Sequence, residues 1–288
     1  MKLAAVGLCL AGALCPQGPF AFRDLGGRSL ELTDKGAPIF AYNYGLMRKE
    51  GAPEDRARCC YLHPVYAPDG TLITDDFPRD HYHHRGISWM WPIVRIEGVE
   101  YDLWTLKGIR HKFVRWTARE VGARQARLGI ENGWYTGERR VLKETVEIVT
   151  GPAAAGRRNL DLTLVFEALD RPIELQGEPA QQKGYGGLSF RFAPREQTVI
   201  RTDAGVEKAD SNMAPHPWAE LEGLFEGRRA GARVTIDPAH PGYPNGWCLR
   251  YYGFLGVNYP GLQPYTLAPG RPLTLKYRIT VYAGAVGR

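Results

Sequence analysis

Asn159-Leu160-Asp161-Leu162-Thr163-Leu164-Val165-Phe166-Glu167-Ala168-Leu169 is the stretch of this chain with the clearest alternation. Leu160, Leu162, Leu164 and Phe166 fall on one face of an extended backbone, which is the period-2 pattern of a half-buried strand. A helix would scatter the same four side chains around its axis. Similar alternation recurs on both sides: Ser29–Leu32, Gly86–Ile96, Glu100–Thr105, Lys112–Thr117, Gly187–Phe192, Thr198–Arg201, Arg233–Ile236, Trp247–Tyr252 and Leu273–Tyr282. Lys143–Val149 joins them through its β-branched content. Gly151–Gly156 reads as a turn, because strand patterning continues beyond it. Residues 204–230 carry no strand pattern and are expected to form an excursion or a short helix.

Composition agrees. The 288 residues include 34 Gly and 21 Pro, about a fifth of the chain against an average nearer ~12%. Aromatic residues make up 11%, with 7 Trp and 15 Tyr. Many turns among many aromatics point to short antiparallel strands and exclude a helical bundle, a coiled coil and a disordered tail. The predicted fold is all-β, a large antiparallel β-sandwich of two stacked sheets, forming one domain over residues 16–288.

The N-terminus has Lys2, an apolar run from Leu3 to Cys15, and then Pro16-Gln17-Gly18-Pro19. This is the pattern of a secretory signal over residues 1–15, so a periplasmic or secreted location is expected. The run is shorter than the ~20 residues that span a bilayer, so no membrane-spanning segment is expected. In an oxidising compartment Cys248 could pair with Cys59 or Cys60, and buried free thiols are the alternative. No CxxC pair is present, which argues against a thiolate zinc site. The net charge of +6 is spread along the chain rather than gathered in a stripe. Nucleic acid is therefore not an expected partner, and an anionic or sugar-acid ligand is a milder reading of the same charge.

Four of the seven histidines lie between His63 and His84, in a segment that includes His63-Pro64 and Asp80-His81-Tyr82-His83-His84-Arg85-Gly86. Loops on a rigid β scaffold are where chemistry tends to sit. If the segment is extended, His81 and His83 share one face and His84 takes the other. Three readings follow. His81 and His83 could bind a metal with a distant ligand such as His63 or His240. Imidazole could instead act as acid and base without a cofactor, with Asp80 fixing its tautomer and Arg85 stabilising oxyanion charge. Or the histidines could simply be hydrogen-bonded partners of buried carbonyls.

Lys183-Gly184-Tyr185-Gly186-Gly187-Leu188-Ser189-Phe190-Arg191 adds Tyr185 and Arg191 beside glycines that allow close backbone approach. Trp218 and His240 bring further aromatic and imidazole faces. Aromatic faces stack on sugar C–H surfaces while arginine and carboxylate groups bond hydroxyls, so the inventory suits a carbohydrate cleft. Neither a Gly-x-Ser-x-Gly elbow nor a His-Glu-x-x-His helix is present.

Taken in order, His63-Pro64, the Asp80–Gly86 run, Tyr185-Gly186-Gly187-Leu188 and His240-Pro241 make roughly residues 25–284 resemble a bacterial family labelled PmoA-like, or methane-oxygenase-like. That family usually has proline where Tyr82 stands. The resemblance implies a β-supersandwich like that of galactose mutarotases, with a broad cleft on one sheet facing a sugar. A methane monooxygenase subunit is not implied, because nothing after residue 15 could span a bilayer. The expected function is acid/base chemistry on a sugar or sugar derivative, of epimerase, lyase or hydrolase type. His81, His84, Asp80 and Arg85 are its expected catalytic residues, and His63, His83, Tyr185, Arg191, Trp218 and His240 its binding wall. The alternatives are a non-catalytic carbohydrate-binding module, and a metal-dependent oxygenase or lyase using His81 and His83.

Overall fold

In the computed structural model, which describes residues 18–284, the opening stretch lies inside the strand Arg157–Ala168. Leu160, Leu162, Leu164 and Phe166 are all buried, as their alternation predicts. The strand is flanked by Arg139–Thr150 and Leu273–Ala283, both antiparallel to it. These three form the middle of a nine-stranded sheet. From one edge it runs Gly205–Val206, Glu196–Thr202, Trp218–Phe225, Arg228–Ile236, Leu273–Ala283, Arg157–Ala168, Arg139–Thr150, Ala126–Thr136 and Arg110–Val121.

A second nine-stranded sheet runs Phe20–Leu25, Ser29–Asp34, Ala37–Asn43, Tyr61–Val65, Ile87–Met90, Gly187–Arg191, Phe254–Val257, Gly246–Arg250 and Ser211–Pro215. A smaller third sheet joins Tyr265–Leu267, Ile173–Gln176, Ile93–Ile96 and Val99–Tyr101. All these pairings are antiparallel, and the one helical element among the described residues is a 3-10 turn at Glu54–Arg56. The all-β antiparallel sandwich is thus observed.

Cross-strand partners share a face, and this sets the inner row of the second sheet. Tyr42, Leu62, Ile87, Phe190, Leu255 and Leu249 lie opposite one another strand by strand. The Tyr42 hydroxyl accepts a hydrogen bond of 2.8 Å from Asn132 Nδ2 on the first sheet, so this row faces the core. Between the sheets Trp91 meets Phe166 edge-on, with ring centroids 5.2 Å apart. Glu144 is also buried there, where it accepts from Asn132 at 2.7 Å and Trp134 at 2.8 Å.

Two expectations change. Residues 204–230 are neither an excursion nor a helix, because they hold the strands Ser211–Pro215 and Trp218–Phe225 and begin Arg228–Ile236. The buried positions of Trp218–Phe225 include Ala219, Leu221 and Phe225 but also Glu220 and Glu222, so the alternation of apolar and polar side chains that announces a strand is blurred. Cys59, Cys60 and Cys248 are free and buried. The strand that follows Cys60 lies four strand positions from the one carrying Cys248, about 19 Å at ~4.8 Å per step, far beyond disulfide reach. The expected signal segment, residues 1–15, lies outside the described residues. Among those residues no helix is long and apolar enough to cross a membrane.

Candidate functional site

Beside the inner row, the intervening residues of the same strands point away from the first sheet. Arg191 lies opposite Phe254, and Phe254 opposite Arg250. The histidine loop is moored at both ends to this row. Asp75 N donates to the Arg191 carbonyl at 3.1 Å, and Arg191 N donates to the Gly86 carbonyl at 2.8 Å. The chain between must therefore arch over Arg191, which brings Asp80 onto it.

The arch is not extended. His81 N bonds the Pro78 carbonyl at 3.0 Å and His84 N the His81 carbonyl at 2.9 Å, giving two successive turns. Residues three apart in a turn lie one above the other. His81 and His84 accordingly stack, with centroids 4.6 Å apart and planes 8° apart, whereas extended geometry would have placed them on opposite faces. Tyr252 stacks on His81 at 5.0 Å and Phe254 on His84 at 5.0 Å. His83 meets the edge of His84 at 4.6 Å and of Trp104 at 5.7 Å.

Asp80 anchors the arrangement. Nη2 of Arg191 donates to both of its oxygens at 2.8 Å, and His81 Nδ1 lies 3.0 Å from Oδ2. A carboxylate only accepts, so Nδ1 of His81 carries the hydrogen, and in the neutral ring Nε2 is the acceptor. Burial pushes the Asp80 carboxyl up, but hydrogen bonds from His81 and Arg191 outweigh it and hold the group below its usual range. Burial, reinforced by neighbouring positive charge, lowers His83 to about 4 and pushes His84 well below the ordinary imidazole value. Both are neutral rings at pH 7.

The three histidines form one wall of a cavity of about 250 Å³. Trp104, Tyr185, Tyr252 and Phe254 supply aromatic surface, and Asp102, Gln181, Lys183, Cys248 and Arg250 the polar lining. Asp102 is committed to its own loop, accepting from Trp104 N at 2.6 Å and Thr105 N at 3.0 Å. Lys183 Nζ bonds the neutral Gln181 Oε1 at 3.0 Å. Burial raises Tyr185 to about 12 and also raises Cys248, so both keep their protons at neutral pH. Among the described residues no three His, Cys, Asp or Glu side chains converge as metal ligands. Imidazole binds metal in its ring plane, so the stacked His81 and His84 do not point at a common centre.

Of the residues singled out from sequence, His81, His83, His84 and Tyr185 line this cavity, with Asp80 and Arg191 directly behind His81. The other four do not line it. Arg85, expected to stabilise an oxyanion, is buried with its guanidinium 3.4 Å from the Phe77 ring. It donates to the carbonyls of Tyr82 at 2.7 Å, His84 at 2.6 Å and Arg56, and so staples the arch from behind. His63 is tied to Thr74 Oγ1 at 2.9 Å, and burial lowers it to about 4. His240 bonds the Tyr277 hydroxyl at 2.8 Å, and Trp218 packs against Arg233, whose Cζ is 4.0 Å from its ring; Tyr277, Trp218 and Arg233 all belong to the first sheet. Sequence reading passed over Trp104, Tyr252, Phe254 and Arg250. The pair Arg250 and Tyr252 ends a recognised strand with polar-aromatic side chains, which was the available signal; Trp104 offered none.

No curated protein matches this chain. Among solved structures it is similar to heparan sulfate lyase HepC from Pedobacter heparinus, with 7% identity, a TM-score of 0.43, and 94% of this chain and 36% of the lyase covered. The chain thus spans about a third of that protein's length. It is also similar to YeaD from Salmonella typhimurium, proposed as a mutarotase, with 11% identity, a TM-score of 0.43, and coverage of 94% and 95%. A galactose mutarotase related enzyme from Lactobacillus acidophilus matches with 7% identity, a TM-score of 0.39, and coverage of 92% and 97%. The family model that matches, over residues 29–288, is not the PmoA-like one, and it overturns that resemblance: the chain belongs to DUF6807, a family of unknown function.

Proposed function

We propose that this cavity binds a sugar or sugar derivative carrying an acidic group and performs acid/base chemistry on it. The observation that supports this reading is the line Arg191–Asp80–His81, which ends at the cavity with one imidazole nitrogen free to accept a proton. His81 is the general base, taking a proton from the carbon beside the sugar's carbonyl or carboxyl group; Asp80 stabilises the imidazolium that results, and this imidazolium returns a proton to the same carbon of the enolate. Neutral His83 and His84 offer hydrogen bonds to sugar hydroxyls without adding charge. Lys183 holds the anionic group, with Arg250, itself bonded to the Ser211 and Leu249 carbonyls, adding positive charge beside it, and Trp104 and Tyr252 line the space against the ring's C–H surface. The step uses side chains alone, without a metal at His81 and His83, and elemental analysis of active protein tests that point. Export of the chain belongs to the same proposal, resting on residues 1–15, and cell fractionation tests it.

The reaction is tested by incubating the protein with a panel of uronates and aldoses in D2O and following deuterium incorporation by proton NMR. His81→Gln should lower exchange by about 10²–10⁴-fold, with its thermal midpoint unchanged. Exchange at the wild-type rate in that variant would refute the assignment. Binding without any exchange by the wild-type protein would identify a non-catalytic binding module instead.

A further inference from the structure

The cavity has a neighbour. A second hollow of about 360 Å³ is lined by Tyr101, Glu100, Lys107, Glu178 and Ala180, and it shares Asp102 and Tyr185 with the first. The same two loops bank both hollows. One is pinched between Asp102 and Lys107, whose backbones exchange hydrogen bonds of 3.1 and 2.8 Å. The other is pinched between Glu178 and Lys183, with bonds of 2.7 and 2.9 Å. Each loop gives residues to the first hollow, Trp104 and Thr105 from one and Gln181 and Lys183 from the other. Each gives residues to the second hollow as well, Tyr101 and Lys107 from one and Glu178 and Ala180 from the other. Two facing loops that line both hollows in succession form the banks of one trough, and Tyr185 stands where its halves meet.

The size of the first hollow, about 250 Å³, lies below the roughly 300–1,000 Å³ usual for small-molecule sites. It holds one ring and little else. The second differs in charge. In the first, Lys183 and Arg250, the latter 3.9 Å from Asp210, outnumber the shared Asp102, whereas in the second Asp102 and Glu178 outnumber Lys107, beside a Glu100 paired with Arg95 at 3.0 Å. A carboxylate is favoured in the first hollow and disfavoured in the second.

We infer that the trough is a two-unit subsite for a glycan chain, with an acidic sugar in the His81 cavity and a neutral, hydroxyl-bearing sugar across Tyr185 in the second hollow. The inference rests on the reading of the His81 cavity as a carbohydrate site. Tyr185 supports the junction of the two units, with its ring 5.5 Å from that of Trp104 and its hydroxyl protonated. The second hollow adds binding and direction, since only one order of acidic and neutral units matches both halves.

The test is an array of acidic and neutral glycans one to four units long, with calorimetry on each acidic monosaccharide and on the same unit joined to a neutral one. The joined pair should bind about tenfold tighter than the acidic monosaccharide, as one or two added hydrogen bonds would give. A pair of two acidic units should gain nothing over the monosaccharide. Ala180 is exposed, so Ala180→Trp can fill the second hollow without entering the core. It should bring the affinity ratio of pair to monosaccharide close to one, and Ala180→Arg should do the same. If monosaccharide and pair bind equally to the wild-type protein, the second subsite is refuted while the His81 cavity stands as a sugar site. If the tenfold preference survives both Ala180 variants, the second unit lies elsewhere and the inference fails. If no glycan of any length binds at millimolar concentration, the carbohydrate reading itself falls.

Discussion

Neutralising Asp80 should separate its two duties, holding Arg191 and orienting His81. Arg191 is only 6% exposed, and its Nη2 lies 2.8 Å from both Asp80 oxygens. At that separation Coulomb's law gives roughly 6 kcal/mol for an effective dielectric near ~20. Asp80 is 45% exposed on its side chain, so water screens the pair, and about 1–3 kcal/mol is the expected net coupling. The arginine also sits 4.8 Å over the Tyr252 ring, a contact that any single Arg191 substitution would lose as well. A double-mutant cycle removes that ambiguity. Urea unfolding of wild type, Asp80→Asn, Arg191→Met and the double variant should yield the coupling directly. In parallel, the ring 15N shifts of His81 should report hydrogen on Nδ1 in the wild type and a mixture of tautomers in Asp80→Asn. A coupling below about 0.5 kcal/mol would mean that solvent, not the carboxylate, accommodates Arg191. An unchanged His81 tautomer in Asp80→Asn would refute the orienting role, whatever the stability result.

Acid should destabilise the fold through its buried imidazoles. Burial lowers His240 to about 4, so between pH ~6.5 and ~4 the unfolded chain binds more protons than the native one, and stability falls as pH falls through that window. Wild type should lose about 3 kcal/mol relative to His240→Asn by pH ~4; parallel urea midpoints for the two proteins across the window would contradict this. Gly86→Ala should cost about 1–3 kcal/mol, read as a lower thermal midpoint, because the new Cβ would collide with the Leu62 carbonyl. A midpoint equal to wild type would show that the mooring of the histidine arch is slack. Alkylation of unreduced, denatured protein followed by mass spectrometry should find Cys59, Cys60 and Cys248 all modified. Protection of Cys248 together with Cys59 or Cys60 would disprove the strand spacing.

What the sequence makes legible follows from distance along the chain. Strand alternation is local, so Leu160–Phe166 and most other strands read directly. Trp218–Phe225 was missed because its alternation is written in Ala219, Glu220, Leu221 and Glu222, with two buried carboxylates on the face that usually signals solvent. The histidine cluster is local too and was recognised. Its shape was not, because turn formation depends on Arg85 reaching the carbonyls of Tyr82, His84 and Arg56 from behind. Tyr252 stacks on His81 from across the sheet, and no spacing rule encodes that contact. His240 and Trp218 looked equivalent to the cavity residues because chemistry alone does not reveal which sheet a side chain joins.

The odd-even order of two short strands has a consequence for how this chain can change. In Gly187–Arg191 and Phe254–Val257, Phe190 and Leu255 fill the core while Arg191 and Phe254, one step along, build the cavity. Inserting or deleting a single residue within either strand would exchange the two sets, sending an arginine into the sandwich and a leucine to the cavity side. The core and the cavity would be lost together, and no single compensating point substitution would restore one without the other. Loop length beyond the strand ends is under no such constraint. Natural variation in ligand preference should therefore accumulate in segments 101–107 and 178–185 as changes of length, and in the strands only as exchanges that preserve count.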